Sequence, residues 1–139
     1  MKNKEKITIN ILINTSVEKV WEFWTKPEHI TKWNYASEDW HTTKAENDLK
    51  VGGKFLSRME AKDDSFGFDF EGIYDEVLTY KKISYTLLDD RKVTISFSQT
   101  ENGIEIKEVF EAENENSIEL QKNGWQAILN NFKTYVENN

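Results

Sequence analysis

Three carboxylates that alternate along one extended segment are the side chains best placed for acid or base chemistry. Asp69, Glu71 and Asp75 fall on alternate positions, so on a strand they share one face. If that face lined a pocket, burial and mutual repulsion would make one carboxyl a general acid or base. Phe68 and Phe70 take the opposite face and are better candidates for the interior, so the sequence favours a solvated row of carboxylates.

The two histidines, His29 and His41, could form a catalytic dyad or a metal site only if the fold brought them together. The alternative is that both are surface or rim residues, because a lone histidine is more often structural. The sequence has no HExxH, GxSxG, P-loop or dinucleotide-binding motif. We therefore expect no catalytic residue, no metal and no cofactor.

The amino-acid composition excludes several kinds of site and of binding partner. The chain of 139 residues has no cysteine, which excludes disulfides, a thiolate nucleophile and cysteine-based metal sites. Its 25 acidic and 18 basic side chains give a net charge of −7 that repels phosphate backbones, so nucleic acid is not expected as a partner. The charged start, Met1 to Lys6, lacks the apolar run of a signal peptide or spanning helix, and we expect a cytoplasmic protein without membrane insertion.

The first part of the chain is predicted to form a strand and two short helices. Isoleucines recur at every second position over 5–13, which is the period of a strand with one buried face. A first helix is predicted over about 16–24, with Thr15 as its N-cap, because apolar residues follow at helical spacing. Pro27 suits the first turn of a second helix that ends near Trp33.

From Trp40 to Gly103 the sequence predicts six strands with one apolar face. Turn signals separate the extended segments at Gly52-Gly53, Asp63-Asp64, Asp89-Asp90 and Asn102-Gly103. The apolar face needs a cover, and apolar residues at three- and four-residue steps predict a helix over about 115–137 that supplies it. With no linker or repeat, residues 1–139 are expected to form a single α+β domain, a curved antiparallel sheet wrapped around a long C-terminal helix.

Five local motifs occur in the same order as in a known family. They are Thr15-Ser16-Val17-Glu18-Lys19-Val20-Trp21, Pro27-Glu28-His29-Ile30-Thr31-Lys32-Trp33, Val51-Gly52-Gly53-Lys54-Phe55, Phe70-Glu71-Gly72 and Gly124-Trp125-Gln126-Ala127-Ile128-Leu129-Asn130-Asn131-Phe132. Over essentially the whole chain, the sequence resembles the START-like (SRPBCC) helix-grip superfamily, and within it the AHSA-type family related to the C-terminal domain of the heat-shock-protein-ninety ATPase activator. The resemblance implies a helix-grip fold in the order β-α-α-β6-α, with a pocket between the sheet and the long helix that the short helices close.

Members of the superfamily are hydrophobic-ligand carriers, aromatic cyclases or co-chaperones, and fold alone does not choose among them. The leading hypothesis is non-enzymatic binding of a small hydrophobic or amphipathic ligand in an internal cavity. The second is a co-chaperone-like interaction module, for which we expect weak or absent ATPase stimulation because the sequence lacks the separate N-terminal domain of full-length eukaryotic activators. The third is a cyclase- or hydrolase-type enzyme that uses Asp69, Glu71, His29 or Tyr85 as acid or base.

Aromatic residues in period-two register on successive strands are the main candidates for the cavity wall. The predicted wall consists of Phe55, Met59, Phe68, Phe70, Tyr85, Phe97, Trp125 and Leu129. The alternative for each of these residues is ordinary packed core, and the reason for a cavity is collective, because bulky rings around a curved sheet surround space without filling it. The predicted mouth consists of Trp24, Trp33, Tyr35 and Trp40. Their indole and phenol groups would offer hydrogen-bond donors to the polar end of a ligand.

Overall fold

A computed structural model describes residues 5–139 of the chain. Its elements are β1 (Lys6–Ile13), α1 (Val17–Thr25), α2 (Pro27–Trp33), β2 (Trp40–Asn47), β3 (Lys54–Ala61), β4 (Gly67–Leu78), β5 (Lys82–Leu87), β6 (Lys92–Thr100), β7 (Gly103–Glu111) and α3 (Ile118–Glu137). Residues 1–4, on which the expectation about the charged start partly rests, lie outside the described residues. No helix among residues 5–139 is both long enough and apolar enough to cross a membrane.

The strands form one antiparallel sheet that curls around α3. Their order across the sheet is β1-β7-β6-β5-β4-β3-β2, so β1 and β2 are its edges. Register shifts in β2 between Thr42 and Lys44 and in β4 between Tyr74 and Glu76 bend these strands and increase the curvature of the sheet. The predicted α+β helix-grip class is confirmed, because the element order and the curled sheet against the C-terminal helix are the expected ones.

The helices α1 and α3 each begin after a serine that caps them. Ser16 accepts a hydrogen bond from the Lys19 amide at 3.3 Å, so the prediction of Thr15 as N-cap is wrong by one residue. Ser117 accepts from the Leu120 amide at 3.0 Å, and α3 begins slightly later than predicted. A short hydroxyl side chain at this position satisfies an amide that has no partner inside the helix, and adjacent threonine and serine offer the same chemistry.

The core lies where β1, β7 and β6 face the C-terminal half of α3. Leu129, Phe132 and Val136 follow one stripe of the helix and are each 0 % exposed. These three strands supply alternate residues to the same core, and their fully buried ones are Ile13, Val93, Ile95, Ile104, Ile106 and Phe110. Of all the strands, β1 lies against α3 most extensively, so the helix is anchored at one side of the curved sheet.

Candidate ligand-binding site

A cavity of about 510 Å³ lies between the sheet, mainly β2–β5 together with one residue of β7, and the N-terminal half of α3. The helix α2 and the loop that follows it border one end, and the cavity is partly open to solvent. Because α3 is anchored over β1, at the far edge of the sheet, the curvature of β2–β4 leaves space beneath the first turns of the helix. Sheet and helix therefore surround a volume that their side chains do not fill.

Six of the eight predicted wall residues border this cavity. They are Phe55, Met59, Phe68, Phe70, Tyr85 and Trp125. Phe97 and Leu129 do not border it. The Phe97 ring on β6 packs against α1, with its centroid 5.5 Å from that of Trp21, and Leu129 is 0 % exposed in the core. Both residues lie on apolar faces, as the sequence indicates, but at positions where a helix touches the sheet.

Three of the four predicted mouth residues, Trp24, Trp33 and Trp40, also border the cavity, and Tyr35 does not. The Trp24 and Trp33 ring centroids lie 5.0 Å apart and join α1 to α2. The Trp33 indole N–H donates to a backbone carbonyl of α1 at 3.0 Å, so this donor is already used within the protein. The Tyr35 backbone carbonyl accepts a hydrogen bond from the Asn131 side chain, which ties the loop after α2 to α3.

The inner wall is an aromatic cluster contributed by strands and by α3. The centroid of the Phe55 ring lies 5.8 Å from that of Phe70 and 4.6 Å from that of Tyr85. Trp125 stacks on the fully buried Phe110 at 3.9 Å, with 9° between the ring planes, and these contacts fix the orientation of the rings. Phe55, Phe70 and Trp125 are only half-buried, so apolar surface remains uncovered at the cavity.

Polar groups at the rim are hydrogen-bonded within the protein. The Tyr74 hydroxyl donates to the Asn47 side-chain oxygen, and the Asn47 side-chain nitrogen donates to the Thr25 carbonyl at 2.6 Å. The side-chain oxygen of Gln121 accepts from the Glu113 amide at 2.9 Å, and its nitrogen donates to the Glu113 carbonyl at 3.2 Å. These bonds join β2 to β4 and the loop after β7 to α3, and they hold the rim of the cavity in shape.

The carboxyl group of Glu108 on β7 is buried at the cavity wall. The residue is 5 % exposed and borders the cavity. Burial raises the pKa of Glu108 to about 8, because an enclosed site disfavours the charged carboxylate. Tyr85, which is 9 % exposed, lies on β5, and β6 separates this strand from β7. Burial, together with the nearby Glu108 carboxylate, raises the pKa of the Tyr85 hydroxyl well above its usual value.

The polar atoms of Glu108 and Tyr85 face the cavity. Within the described part of the chain, every fully enclosed side-chain nitrogen or oxygen has a hydrogen-bond partner. Residues 5–139 provide no hydrogen-bond partner for the Glu108 carboxyl or the Tyr85 hydroxyl. These atoms therefore border open space, and a bound molecule can reach them.

Glu108 is not among the residues predicted from the sequence, although the sequence contains a signal for it. Glu108 falls between Ile106 and Phe110 on the buried face of β7, where alternation calls for another apolar side chain. A carboxyl at such a position is rare unless it has a partner or a function. Here the residue lies where the sheet faces the cavity instead of packed side chains.

The carboxylates that the sequence analysis did single out lie on the outer face of the sheet. Asp69 is exposed and accepts a hydrogen bond from the Arg58 guanidinium at 3.4 Å. Asp75 is exposed and accepts from the Thr86 hydroxyl at 2.6 Å. Glu71 is half-buried, and none of the three borders the cavity. The interpretation of this row as a solvated face agrees with these positions.

The two histidines are parts of separate local contacts. The His29 ring stacks on Phe23 with centroids 4.1 Å apart, and its Nδ1 lies 2.7 Å from the Tyr135 hydroxyl. His41 lies on β2 opposite Glu60 of β3. Neither histidine borders the cavity. The structure describes no group of three or more His, Cys, Asp or Glu side chains within residues 5–139 that could hold a metal ion.

Comparison with known proteins identifies the family of this chain. The family profile described as "Activator of Hsp90 ATPase homolog 1-like protein" matches residues 14–137. The chain belongs to this AHSA1-like family. The resemblance given by the five sequence motifs is thereby confirmed, and membership indicates a ligand-binding or co-chaperone-type module.

Solved structures show the same architecture over nearly the whole chain. An AHSA1-like protein from Aeromonas hydrophila is 44% identical with a TM-score of 0.90, and the match covers 96% of this chain and 92% of that chain. A protein from Cytophaga hutchinsonii is 51% identical with a TM-score of 0.84 and the same coverage, 96% and 92%. A protein of unknown function from Staphylococcus aureus, 19% identical with a TM-score of 0.78, covers 98% and 95% and shares the fold alone. No curated protein matches the chain.

Proposed function

We propose that this AHSA1-like protein binds a small hydrophobic or amphipathic ligand in its cavity without transforming it. The observation that carries the proposal is an open volume of about 510 Å³ bordered by half-buried aromatic rings. Ligand pockets of drug-sized molecules fall in the range of roughly 300–1,000 Å³, and they are lined by apolar walls with a few polar groups. The size and lining of the cavity both support this class of ligand.

Binding in this cavity would cover apolar surface that the fold leaves accessible. Phe68 is 41 % exposed, and Phe55, Phe70 and Trp125 are half-buried at the wall. Covering apolar surface contributes about 25 cal/mol per Å². Because the ring contacts already fix the orientation of the wall, a ligand would meet a preformed surface and little free energy would be spent on ordering it.

Binding is favoured over chemistry because the candidate acids and bases of the sequence analysis point elsewhere. Asp69, Glu71 and the two histidines do not border the cavity. Tyr85 does border it, but burial raises the pKa of its hydroxyl further above neutral pH, so the phenolate that would act as a base is disfavoured.

Gly124 offers a direct test of cavity occupancy. It borders the cavity from α3, and a Cβ built on it meets no atom within 4 Å. We expect the neutral fluorescent probe N-phenyl-1-naphthylamine to bind the natural protein and Gly124→Ala saturably. The larger side chain of Gly124→Leu should occupy part of the cavity and weaken binding by at least tenfold, measured by fluorescence titration.

Circular dichroism of all three proteins controls for folding, and the alanine variant controls for the loss of glycine. Absence of saturable probe binding to the natural protein would refute the proposal. Equal affinity in a folded Gly124→Leu variant would do the same, because the probe would then bind outside the cavity.

A second candidate is a direct interaction with heat-shock protein 90, which the family description favours. Purified chaperone would be captured on immobilised protein, and its ATPase rate would be measured with increasing amounts of the protein. Dose-dependent capture and stimulation that persist in Gly124→Leu would place the function on the outer surface. Loss of both in that variant would connect the chaperone interaction to the cavity.

A further inference from the structure

Within the ligand class proposed above, we infer that the cavity selects a molecule whose polar end is a protonated amine, bound by the carboxylate of Glu108 and the hydroxyl of Tyr85. The inference rests on the proposed function, because it requires that the cavity binds a ligand. It adds the chemistry of the polar end and names the two side chains that recognise it.

The position of the two side chains is the first support. Glu108 and Tyr85 lie on the concave face of β7 and β5, with β6 between them, and both border the cavity. Each is more than nine-tenths buried, at 5 % and 9 % exposed. Neither has a hydrogen-bond partner within residues 5–139, although fully enclosed polar side-chain atoms there all have one. The polar atoms of both side chains therefore border the cavity, where a ligand can pair with them without displacing a contact within residues 5–139.

The charges along the wall are the second support. Besides Glu108, the wall includes Glu46, which pairs with a lysine at 3.2 Å, and Glu113, which accepts a backbone N–H at 2.6 Å. The cationic wall residue Arg91 already pairs with Asp89 at 2.7 Å. Because Glu46 and Arg91 are each paired with an opposite charge, the acidic excess of the wall comes from Glu113 and, when it is ionised, from Glu108. A carboxylate ligand would be repelled there, whereas an ammonium would be attracted.

The aromatic rings around the cavity are the third support. The faces of aromatic rings attract cations, and among the aromatic residues tryptophan does so most strongly. Trp125 and Tyr85 border the cavity on opposite sides, from α3 and from β5. An ammonium group in the cavity could therefore contact aromatic side chains as well as a carboxylate.

The protonation state of Glu108 makes the inference testable through the pH dependence of ligand affinity. Burial raises the pKa of Glu108 to about 8, so at pH 7 the carboxyl of the unliganded cavity is mostly protonated. An ammonium ligand favours the carboxylate, so binding at pH 7 releases a proton to the buffer. Affinity should rise about tenfold per pH unit up to pH 8 and then level off while the amine keeps its own proton.

Few other ionisable groups act on this corner of the cavity. Within the sheet, Glu108 is flanked by Ile95 of β6 and Ile9 of β1, which carry no charge. Tyr74 of β4 and Arg91 of the β5–β6 hairpin are the further groups whose charges act on Tyr85. Burial raises the pKa of both tyrosines, so neither titrates between pH 6 and 9. The pH dependence over this range therefore reports on Glu108.

The experiment compares three ligands with the same ten-carbon chain: decylamine, decanol and decanoic acid. Each displaces N-phenyl-1-naphthylamine from the protein at pH 6.5, 7.5 and 8.5. We expect decylamine to bind more tightly as pH rises, by about twentyfold across the series, and decanol to show no such trend. Calorimetry of decylamine at pH 7 in two buffers of different ionisation enthalpy should show release of up to one proton per ligand.

Glu108→Gln removes the charge and keeps the shape, and Glu105→Gln makes the same change on the outer face of β7 as a matched control. At pH 8.5 we expect Glu108→Gln to lose at least tenfold in decylamine affinity, together with the pH trend and the proton release. Decanol should lose less affinity than decylamine in this variant, because it carries no charge for the carboxylate to attract. Glu105→Gln should resemble the natural protein with all three ligands.

The outcomes separate the inference from the proposed function. If decanol binds and decylamine shows neither preference nor pH dependence, the inference is wrong and the proposed function stands. If a neutral ketone such as 2-decanone binds through Glu108 and weakens as pH rises, the protonated carboxyl is a donor and the inference is overturned. If no ligand or probe binds, both are overturned.

Discussion

The two sides of the sheet share the same alternation of buried and exposed residues, but one side is packed against α3 and the other borders a cavity. On the side of β1, β7 and β6, aliphatic residues such as Ile13, Ile104 and Ile106 are each 0 % exposed and pack against α3. On the side of β2, β3 and β4, aromatic residues such as Phe55 and Phe70 stay half-buried around a cavity. A strand pattern therefore specifies which face is apolar, while the distance to the covering helix decides whether that face is packed.

The helix α3 shows the same contrast along its own length. Its C-terminal half presents Leu129, Phe132 and Val136, which are fully buried against the core. Its N-terminal half presents Gly124 and Trp125 to the cavity. A glycine at this point withholds a side chain where the helix stands away from the sheet, so the open volume extends to the helix backbone.

Replacing one phenylalanine by alanine in the packed core and another at the cavity should give the largest difference in stability. Phe132→Ala opens a void in a core position that is 0 % exposed, and we expect a loss of about 3–5 kcal/mol in the free energy of unfolding. Phe68→Ala, at a wall position 41 % exposed, should cost about 1 kcal/mol or less. Urea denaturation followed by circular dichroism measures both. Similar losses in the two variants would mean that the cavity side is as closely packed as the core.

Glu108, at the point where β7 borders the cavity, should make the stability of the protein sensitive to pH in a way that the aliphatic core residues do not. The folded protein keeps this proton up to a pKa of about 8, whereas the ordinary value is 4.5, so between these pH values the folded state holds one proton more than the unfolded state. Its contribution to stability therefore falls as pH rises, by up to about 1.4 kcal/mol per pH unit.

Urea unfolding at pH 5.5 and pH 7.5 tests this sign. The natural protein should lose about 2 kcal/mol more than Glu108→Gln between these two pH values, since the variant has no proton to keep. Other titrating groups contribute equally to both proteins and cancel. Parallel pH dependence in the two proteins would show that the carboxyl is solvated in the unliganded state.

The smallest effect is expected at Gly124. Replacing a glycine inside a helix by alanine stabilises a protein by about 0.5–1 kcal/mol when the new methyl group meets no obstacle, and here it meets no atom within 4 Å. Thermal unfolding of Gly124→Ala should therefore occur at a higher temperature than that of the natural protein. A lower unfolding temperature would mean that the helix and sheet lie closer together than the structure shows.

The sequence predicted the architecture because local patterns determine it. Alternation in the strands, helical spacing after Pro27 and the dipeptide turns all agree with the observed elements. The exact cap was missed because Thr15 and Ser16 are chemically equivalent neighbours, and only backbone geometry separates them.

The cavity wall was predicted less completely, for a different physical reason. Phe97 and Leu129 have the residue types and the faces of wall residues, but contact with α1 and the core depends on the tertiary position of the helices. Glu108 interrupts an apolar alternation and could have been found from that interruption alone. The burial of Glu108 and its lack of a partner could not be predicted, because they depend on where α3 leaves the sheet uncovered.

The parallel stacking of Trp125 on Phe110 gives the protein a built-in optical reporter. One face of the indole is permanently shielded by the neighbouring ring, at 3.9 Å, while the residue also borders the cavity. An occupant would exclude water from the remaining accessible surface and shift the indole emission towards shorter wavelengths. Replacing Trp125 with phenylalanine would preserve an aromatic wall and remove the contribution of Trp125 from the total shift, to which Trp24, Trp33 and Trp40 at the cavity also contribute.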